Sequence, residues 1–213
     1  MIRILLVDDH PVARHGIRSL LLDRVKDAVI GEAPDATAAL LQAQDHAWDL
    51  VIADLSMPGM SGLELIKELR RVRPTLPTLV LSMHPPSQFA RRALSAGAIG
   101  YITKDSKLDE YVAAIESARR GRRYISRDTA DLLLRQGARW ESPPHESLSD
   151  REFQVLRMLV DGVSVSDIAS RINLSVKTIS THKARLMQKL GVTTTTELLR
   201  YAMEHSLTGP PAR

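Results

Sequence analysis

The chain has 213 residues, 44% hydrophobic and 25% charged, which suits one large or two small globular domains. It holds no cysteine, so a disulfide framework, a zinc–thiolate site and a cysteine nucleophile are excluded. The net charge of +4 is uneven: residues 1–147 carry +1, residues 148–213 carry +3, and the stretch 168–196 contains five cations and no acid.

Residues 2–7 read as a strand that runs straight into Asp8 and Asp9. Such a start lacks the longer apolar core and small-residue cleavage site of a signal peptide. No run reaches the ~18 apolar residues of a membrane span. The expected location is therefore cytoplasmic, with no membrane partner. His10-Pro11 opens a helix in which Val12, Ile17, Leu20 and Leu21 fall at helical spacing. Residues 29–33 form a short strand, and Asp35 is placed to N-cap a helix over 36–47. The apolar run 50–53 is a third strand, ending in Asp54 and followed by a turn rich in Pro and Gly. Ser61 caps the next helix, 62–73, which Pro74 stops. A fourth strand, 78–82, ends in Ser82, and a helix follows Pro85-Pro86-Ser87. A fifth strand, 100–104, ends in Lys104, and the helix 108–120 is closed by Gly121. Five strands alternating with helices predict an α/β fold, a doubly wound parallel sheet covered on both faces.

Residues 122–147 break this rhythm. A short helix is predicted over 129–136, and 137–147, with Pro143-Pro144, reads as an exposed linker. From Leu148 the pattern is purely helical. Ser149 caps 150–161, Ser164 or Ser166 caps 167–172, Ser175 caps 176–190 and Gly191 ends it, and a last helix covers 195–205. A short helix, a turn around Asn173 and a basic helix without acids form an all-α helix-turn-helix domain. The domains expected are 1–121, a linker over 122–147, and 148–213.

A carboxylate at the carboxyl end of a buried strand sits where open α/β sheets carry their chemistry. If the strands ending in Asp8-Asp9 and Asp54 are neighbours, three carboxylates converge, and like charges that close must be offset by protonation or a cation. A hard divalent ion with oxygen ligands, such as Mg²⁺, answers this. The plainer alternative is that the three acids only cap helices and turns. Ser82 and Lys104 reach the same end of the sheet. Phosphoryl transfer to a carboxylate needs a nucleophilic oxygen, a divalent ion, and a cation and hydroxyl to hold the new oxygens. Asp54, Asp8 with Asp9, Lys104 and Ser82 supply this set.

The motifs Val7-Asp8-Asp9-His10-Pro11, Asp54-Leu55-Ser56-Met57-Pro58-Gly59-Met60-Ser61-Gly62, Ser82 and Gly100-Tyr101-Ile102-Thr103-Lys104 resemble the receiver domain of two-component response regulators. That resemblance implies Asp54 as phosphoacceptor for a sensor histidine kinase. It implies Mg²⁺ held by Asp9, Asp54 and the Ser56 carbonyl, with Asp8 acting through water. Lys104 is then the phosphate partner, and Ser82 and Tyr101 the switch pair. The tail is similar to the LuxR-type helix-turn-helix of the NarL/FixJ class. The similarity rests on Leu148-Ser149-Asp150-Arg151-Glu152, Asp167-Ile168-Ala169, Lys177-Thr178-Ile179-Ser180-Thr181-His182 and Lys189-Leu190-Gly191-Val192. It implies contacts to double-stranded DNA from Lys177, Thr178, Ser180, Thr181, Lys183, Ala184, Arg185 and Lys189. It also implies a homodimer formed through Leu198, Leu199 and Ala202. Ser180 stands where several relatives carry a lysine, and its hydroxyl serves a base or a phosphate equally, so the DNA sequence read does not follow from it.

A haloacid-dehalogenase-like phosphatase also uses an aspartate nucleophile and Mg²⁺, but carries a second acid where this chain has Ser56. A receiver working only through protein partners does not account for the acid-free helix. The expected function is a phosphorylation-gated transcription regulator that binds DNA as a dimer, with RNA polymerase as a further partner, and not an enzyme.

Overall fold

Five short apolar runs pair in parallel in the order β2-β1-β3-β4-β5, with β1 at Ile2–Val7, β2 at Ala28–Ala33, β3 at Leu50–Asp54, β4 at Thr78–Ser82 and β5 at Gly100–Thr103. This is a computed structural model, and it describes residues 1–127, 129–131, 133, 143–205 and 207–208. The chain divides into two compact units, Met1–Leu133 and Leu134–Arg213.

Helices α1 (Pro11–Arg24), α2 (Ala36–Asp45), α3 (Gly62–Val72), α4 (Pro86–Ala96) and α5 (Leu108–Arg119) connect the strands. Strand side chains alternate between two cores, as a period of two requires. Ile4, Leu6, Leu50, Ile52, Leu79 and Leu81 pack with Leu21 of α1 and Tyr111 and Ile115 of α5. Leu5, Val7, Val51 and Ala53 pack on the other face with Ala36 and Ala39 of α2 and Leu65 and Leu69 of α3. Each such buried Leu, Ile or Val contributes about 1.5–3 kcal/mol relative to exposure, so the two cores fix strand register firmly. That register sets Val7 opposite Ala53, Asp54 opposite Leu81 and Ser82 opposite Thr103. The carboxyl ends of four strands are thereby level, beside the point where strand order reverses between β1 and β3.

Several starts are fixed by capping. Ser61 and Glu64 form a reciprocal capping box at α3. Gly62 follows at a close approach, since a Cβ there would overlap the Asp54 carbonyl. The Asp54 turn therefore packs tightly onto the start of α3.

The second unit holds α6 (Asp150–Val160), α7 (Val165–Arg171), α8 (Val176–Leu190) and α9 (Thr195–Glu204). Ser164, not Ser166, caps α7, so that helix starts two residues earlier than expected. Asn173 takes a left-handed φ of 53° in the α7–α8 turn, a conformation asparagine tolerates. Within the segment read as linker, 137–142 lie outside the described residues, as do several positions of the helix expected over 129–136. Pro144–Ser147 forms a 3-10 turn, and the His145 N–H donates to the Tyr201 hydroxyl at 3.2 Å. The first unit continues past the boundary expected at 121, because Tyr124 bridges to Gly100 on the outer edge of β5.

Candidate functional site

The level strand ends bring Asp8, Asp9, His10 and Asp54 together, each with one ligand atom within 4.8 Å of the others. Asp8 and Asp54 are buried, Asp54 at 3% exposure. Two buried carboxylates at this distance require a counter-charge, and Lys104 supplies it. Its Nζ donates to Asp8 Oδ2 at 2.7 Å and to Asp54 Oδ2 at 2.8 Å. Burial alone pulls the Lys104 pKa down, but Asp54 and Asp8 outweigh it, and the net shift is upward. Lys104 is thus a fixed cation rather than a proton donor at neutral pH.

The remaining oxygens are addressed in turn. Asp8 Oδ1 accepts from the His10 backbone N–H at 2.8 Å, and Asp54 Oδ1 accepts from the Ser56 N–H at 3.3 Å. Asp9 Oδ1 lies 2.9 Å from His10 Nδ1. Asp9 is the most open of the three acids, with 22% of its side chain exposed, and so faces incoming ions. The donors are carboxylate oxygens, which suit a hard divalent cation better than a soft one.

Around the acids lies a second layer that the sequence reading did not include. Arg14 Nη1 donates to the Asp8 carbonyl at 2.6 Å and Arg14 Nε pairs with Glu32 at 3.0 Å, which braces the end of β1. The Tyr111 hydroxyl donates to the Lys104 carbonyl at 3.2 Å and holds the turn after β5. Burial, with Asp105 and Glu110 nearby, pushes the Tyr111 phenol up to about 12. His84 is the most connected residue missed. Its Nε2 lies 3.1 Å from Ser56 Oγ, its N–H donates to Ser82 Oγ at 3.1 Å, and its carbonyl accepts from Tyr101 OH at 2.8 Å. A loop residue of this kind gives no periodic signal. The available hint was a histidine two positions beyond a strand-ending serine. Tyr101 is buried at 2% exposure, and burial first, with Asp54 also raising it, keeps the phenol protonated throughout the ordinary range.

In the second unit, Ile179, Leu186 and Leu190 of α8 are buried, while Lys177, Ser180, Thr181, Ala184 and Arg185 are exposed. Several expected DNA contacts are engaged internally, among them Ser180, whose Oγ donates to the Val176 carbonyl at 2.9 Å, and Thr181, whose Oγ1 donates to the Lys177 carbonyl at 3.0 Å. Thr178 Oγ1 shares a 2.7 Å hydrogen bond with the cap residue Ser175, and Lys189 pairs at 2.7 Å with the buried carboxylate of Glu152. Lys183 is half-buried, with Nζ 3.5 Å from Thr195 Oγ1. Of the residues expected at a dimer face, Leu198 and Ala202 are corrected: both are fully buried in the unit's own core, and neither side chain is available to a partner. Leu199 is 38% exposed, and Met203, one turn further along α9, is 70% exposed.

The response regulator receiver domain family matches residues 4–116, and the luxR family of bacterial regulatory proteins matches residues 146–202. The chain belongs to the two-component response regulators that join a receiver to a LuxR-type DNA-binding domain, the NarL/FixJ class. It is 36% identical over 209 residues to the response regulator UvrY of Escherichia coli K12, covering 97% of this chain and 96% of UvrY. It is 37% identical over 206 residues to BvgA of Bordetella pertussis, described as a putative positive transcription regulator of virulence factors, covering 96% and 98%. A structure of RcsB from Salmonella typhimurium matches with a TM-score of 0.73 at 31% identity, over 97% of this chain and 98% of that one. The family is one of transcription regulators. Among the described residues no helix is long and apolar enough to cross a membrane.

Proposed function

We propose that Asp54 accepts a phosphoryl group from a sensor histidine kinase and that this modification drives the second unit to bind promoter DNA as a dimer. The observation that carries the reading is Lys104 bridging Asp8 and Asp54 at the level ends of β1 and β3. In the transfer step the Asp54 carboxylate attacks phosphorus. An O–P bond forms as the donor's N–P bond breaks, and the donor imidazole leaves. The Ser56 N–H and Lys104 hold the acceptor carboxylate in place beforehand. The product adds about −1.5 to −2 charge to a site already rich in carboxylates. Lys104 follows the new phosphoryl oxygens, releasing Asp8, and Ser82 turns its hydroxyl from the His84 N–H toward them. We assign Asp9, Asp54 and the Ser56 carbonyl as holders of Mg²⁺, with Asp8 acting through water. Bound there, the ion supplies neutralisation of the phosphoryl charge.

On the DNA side, the structure of RcsB bound to the rprA promoter in the presence of a phosphomimetic, which this chain matches with a TM-score of 0.66 at 31% identity, supports promoter DNA as the partner, and the basic, acid-free α8 is the helix we assign to it. Lys177 and Arg185 are exposed cations suited to phosphates, and Ser180, Thr181 and Ala184 face outward between them. Leu199 and Met203 form the exposed apolar part of α9 that a two-fold partner covers. RNA polymerase is the further partner expected at a promoter. The test is DNA affinity of the full chain with and without acetyl phosphate and Mg²⁺, on duplexes selected from random sequence. Tighter binding to a two-fold symmetric site after treatment supports the proposal, and unchanged affinity contradicts it.

A further inference from the structure

β5 is the last strand of the sheet, and its outer edge is partly covered by the chain's own next segment. After α5, Gly121 turns left-handed with φ 65°, and Arg122 N–H returns to the Ser117 carbonyl at 2.9 Å. Tyr124 then lies parallel to Gly100, and its N–H donates to the Ile99 carbonyl at 2.8 Å. The glycine makes this seating possible, since a Cβ at Gly100 would stand 2.5 Å from the Tyr124 carbonyl oxygen. Two residues on, Ser126 N-caps a helical turn: its Oγ lies 2.8 Å from Thr129 Oγ1 and accepts from the Thr129 N–H at 3.3 Å, its carbonyl accepts from the Ala130 N–H at 2.9 Å, and Thr129 is buried at 2% exposure. The Tyr124 bond to Ile99 makes the segment a bonded strap rather than a loose tether.

The strap adjoins the switch residue. Tyr101 follows Gly100 directly, and a groove of about 510 Å³ runs beside it, walled by Pro86 and Ser87 at the start of α4 and by Ser126 of the strap and Thr129 after it. With Tyr101 inward on the His84 carbonyl, its ring leaves this groove open. Turned outward, a ring of that size would enter the groove and press on the Ser126–Thr129 wall. We infer that the strap 124–127 senses the position of Tyr101 and passes it to the DNA-binding unit: it seats on β5 when Tyr101 is held inward and loosens when Tyr101 swings out. The inference rests on the phosphoacceptor role proposed for Asp54, because that modification is the event that would favour the inward position Tyr101 takes in this structure. An edge strand joined by one bridge is a region of low local stability, which such a coupling needs.

The test is amide hydrogen exchange of the full chain with and without acetyl phosphate and Mg²⁺, with intact mass recorded on the same samples. Exchange at the Tyr124 N–H is expected to slow about tenfold on phosphorylation, within the usual range of coupling between two sites. In Tyr101→Ala it is expected to be equal in both states. Tyr124→Pro, which lacks the donor, is expected to take up the phosphoryl group normally yet lose the phosphorylation-dependent gain in DNA affinity. A phosphorylated wild-type chain with unaltered exchange at Tyr124 overturns the strap alone, and so does a Tyr124→Pro chain that keeps the full gain. A chain with no added mass overturns the phosphoacceptor reading and the strap with it.

Discussion

The Tyr101 hydroxyl donates to the His84 carbonyl oxygen over 2.8 Å. That bond joins the middle of β5 to the loop after β4, the same loop whose His84 N–H is given to Ser82. A change at Asp54 that draws on Ser82 is thus felt by His84 and then by Tyr101. Tyr101→Phe removes this bond and the hydroxyl's side-chain hydrogen bond with Ser82, and keeps the ring. A neutral hydrogen bond is worth about 0.5–1.5 kcal/mol net, and the inward state should lose about that much for each bond. Phosphorylation of the variant is expected to proceed at the wild-type rate, while its gain in DNA affinity shrinks by the corresponding factor. Affinity titrations of both phosphorylated chains check this.

Removing Lys104 separates its two roles. Lys104→Ala leaves two buried carboxylates facing each other, and loss of one partner of a buried ion pair costs about 3–5 kcal/mol. A divalent ion should recover more stability in this variant than in wild type, because the ion then takes over the neutralisation. Urea denaturation with and without Mg²⁺ reads both quantities. Equal Mg²⁺ stabilisation of the two chains would count against a shared site. The phosphorylated variant is further expected to bind DNA no better than the unphosphorylated wild type.

Much of this site was legible because a parallel sheet sends all its strand ends one way. Asp8, Asp9, Asp54, Ser82 and Lys104 each follow an apolar run, so reading the runs places the residues together. His84, Arg14 and Tyr111 were not legible, since each acts through a backbone or loop geometry that leaves no period in the sequence. The α8 contacts came from the LuxR-type resemblance, which cannot show that Glu152, far off in sequence, holds Lys189. On α9 the sequence shows an apolar face but not which part of it the unit's own core consumes. Leu198 and Ala202 go inward, and Leu199 lies at the margin. The strap beyond Gly121 read as linker because one bridging residue is too short a strand to announce itself.

The Glu152–Lys189 pair predicts how the second unit responds to acid. Burial raises the Glu152 pKa, but hydrogen bonds from Lys189 and Ser149 more than offset it, leaving the carboxyl below its ordinary value of 4.5. A depressed folded value means that the contribution is complete above 4.5 and is lost as pH falls through the folded value. Thermal melts should therefore show stability declining below about pH 4.5, and Glu152→Gln should flatten that decline. An unchanged acid limb in the variant would contradict the assignment.

The two sides of α9 should respond differently to substitution. Leu198→Ala opens a fully buried position and should destabilise the second unit by about 2–5 kcal/mol. Leu199→Glu and Met203→Glu alter exposed positions and should leave folding within about 0.5 kcal/mol of wild type. They are expected to abolish paired binding to a two-fold site while sparing weak single-site binding. Analytical ultracentrifugation with DNA distinguishes these cases.

Salt dependence should separate positioning contacts from reading contacts on α8. Arg185→Ala, if its guanidinium meets a phosphate, should lower the slope of log affinity against log salt by about one unit. Thr181→Ala should change the preferred sequence and leave the slope intact. The opposite pattern would require the roles on the helix face to be exchanged.

The central claim is that Asp54 carries the phosphoryl group. The most direct measurement is to treat the full chain and Asp54→Asn with acetyl phosphate and Mg²⁺, trap the acyl phosphate by borohydride reduction, and map the modified residue by peptide mass spectrometry. The account predicts reduction at Asp54 alone in the wild type and no modified residue in Asp54→Asn. Modification at Asp8 or Asp9, or undiminished labelling of Asp54→Asn, would contradict it.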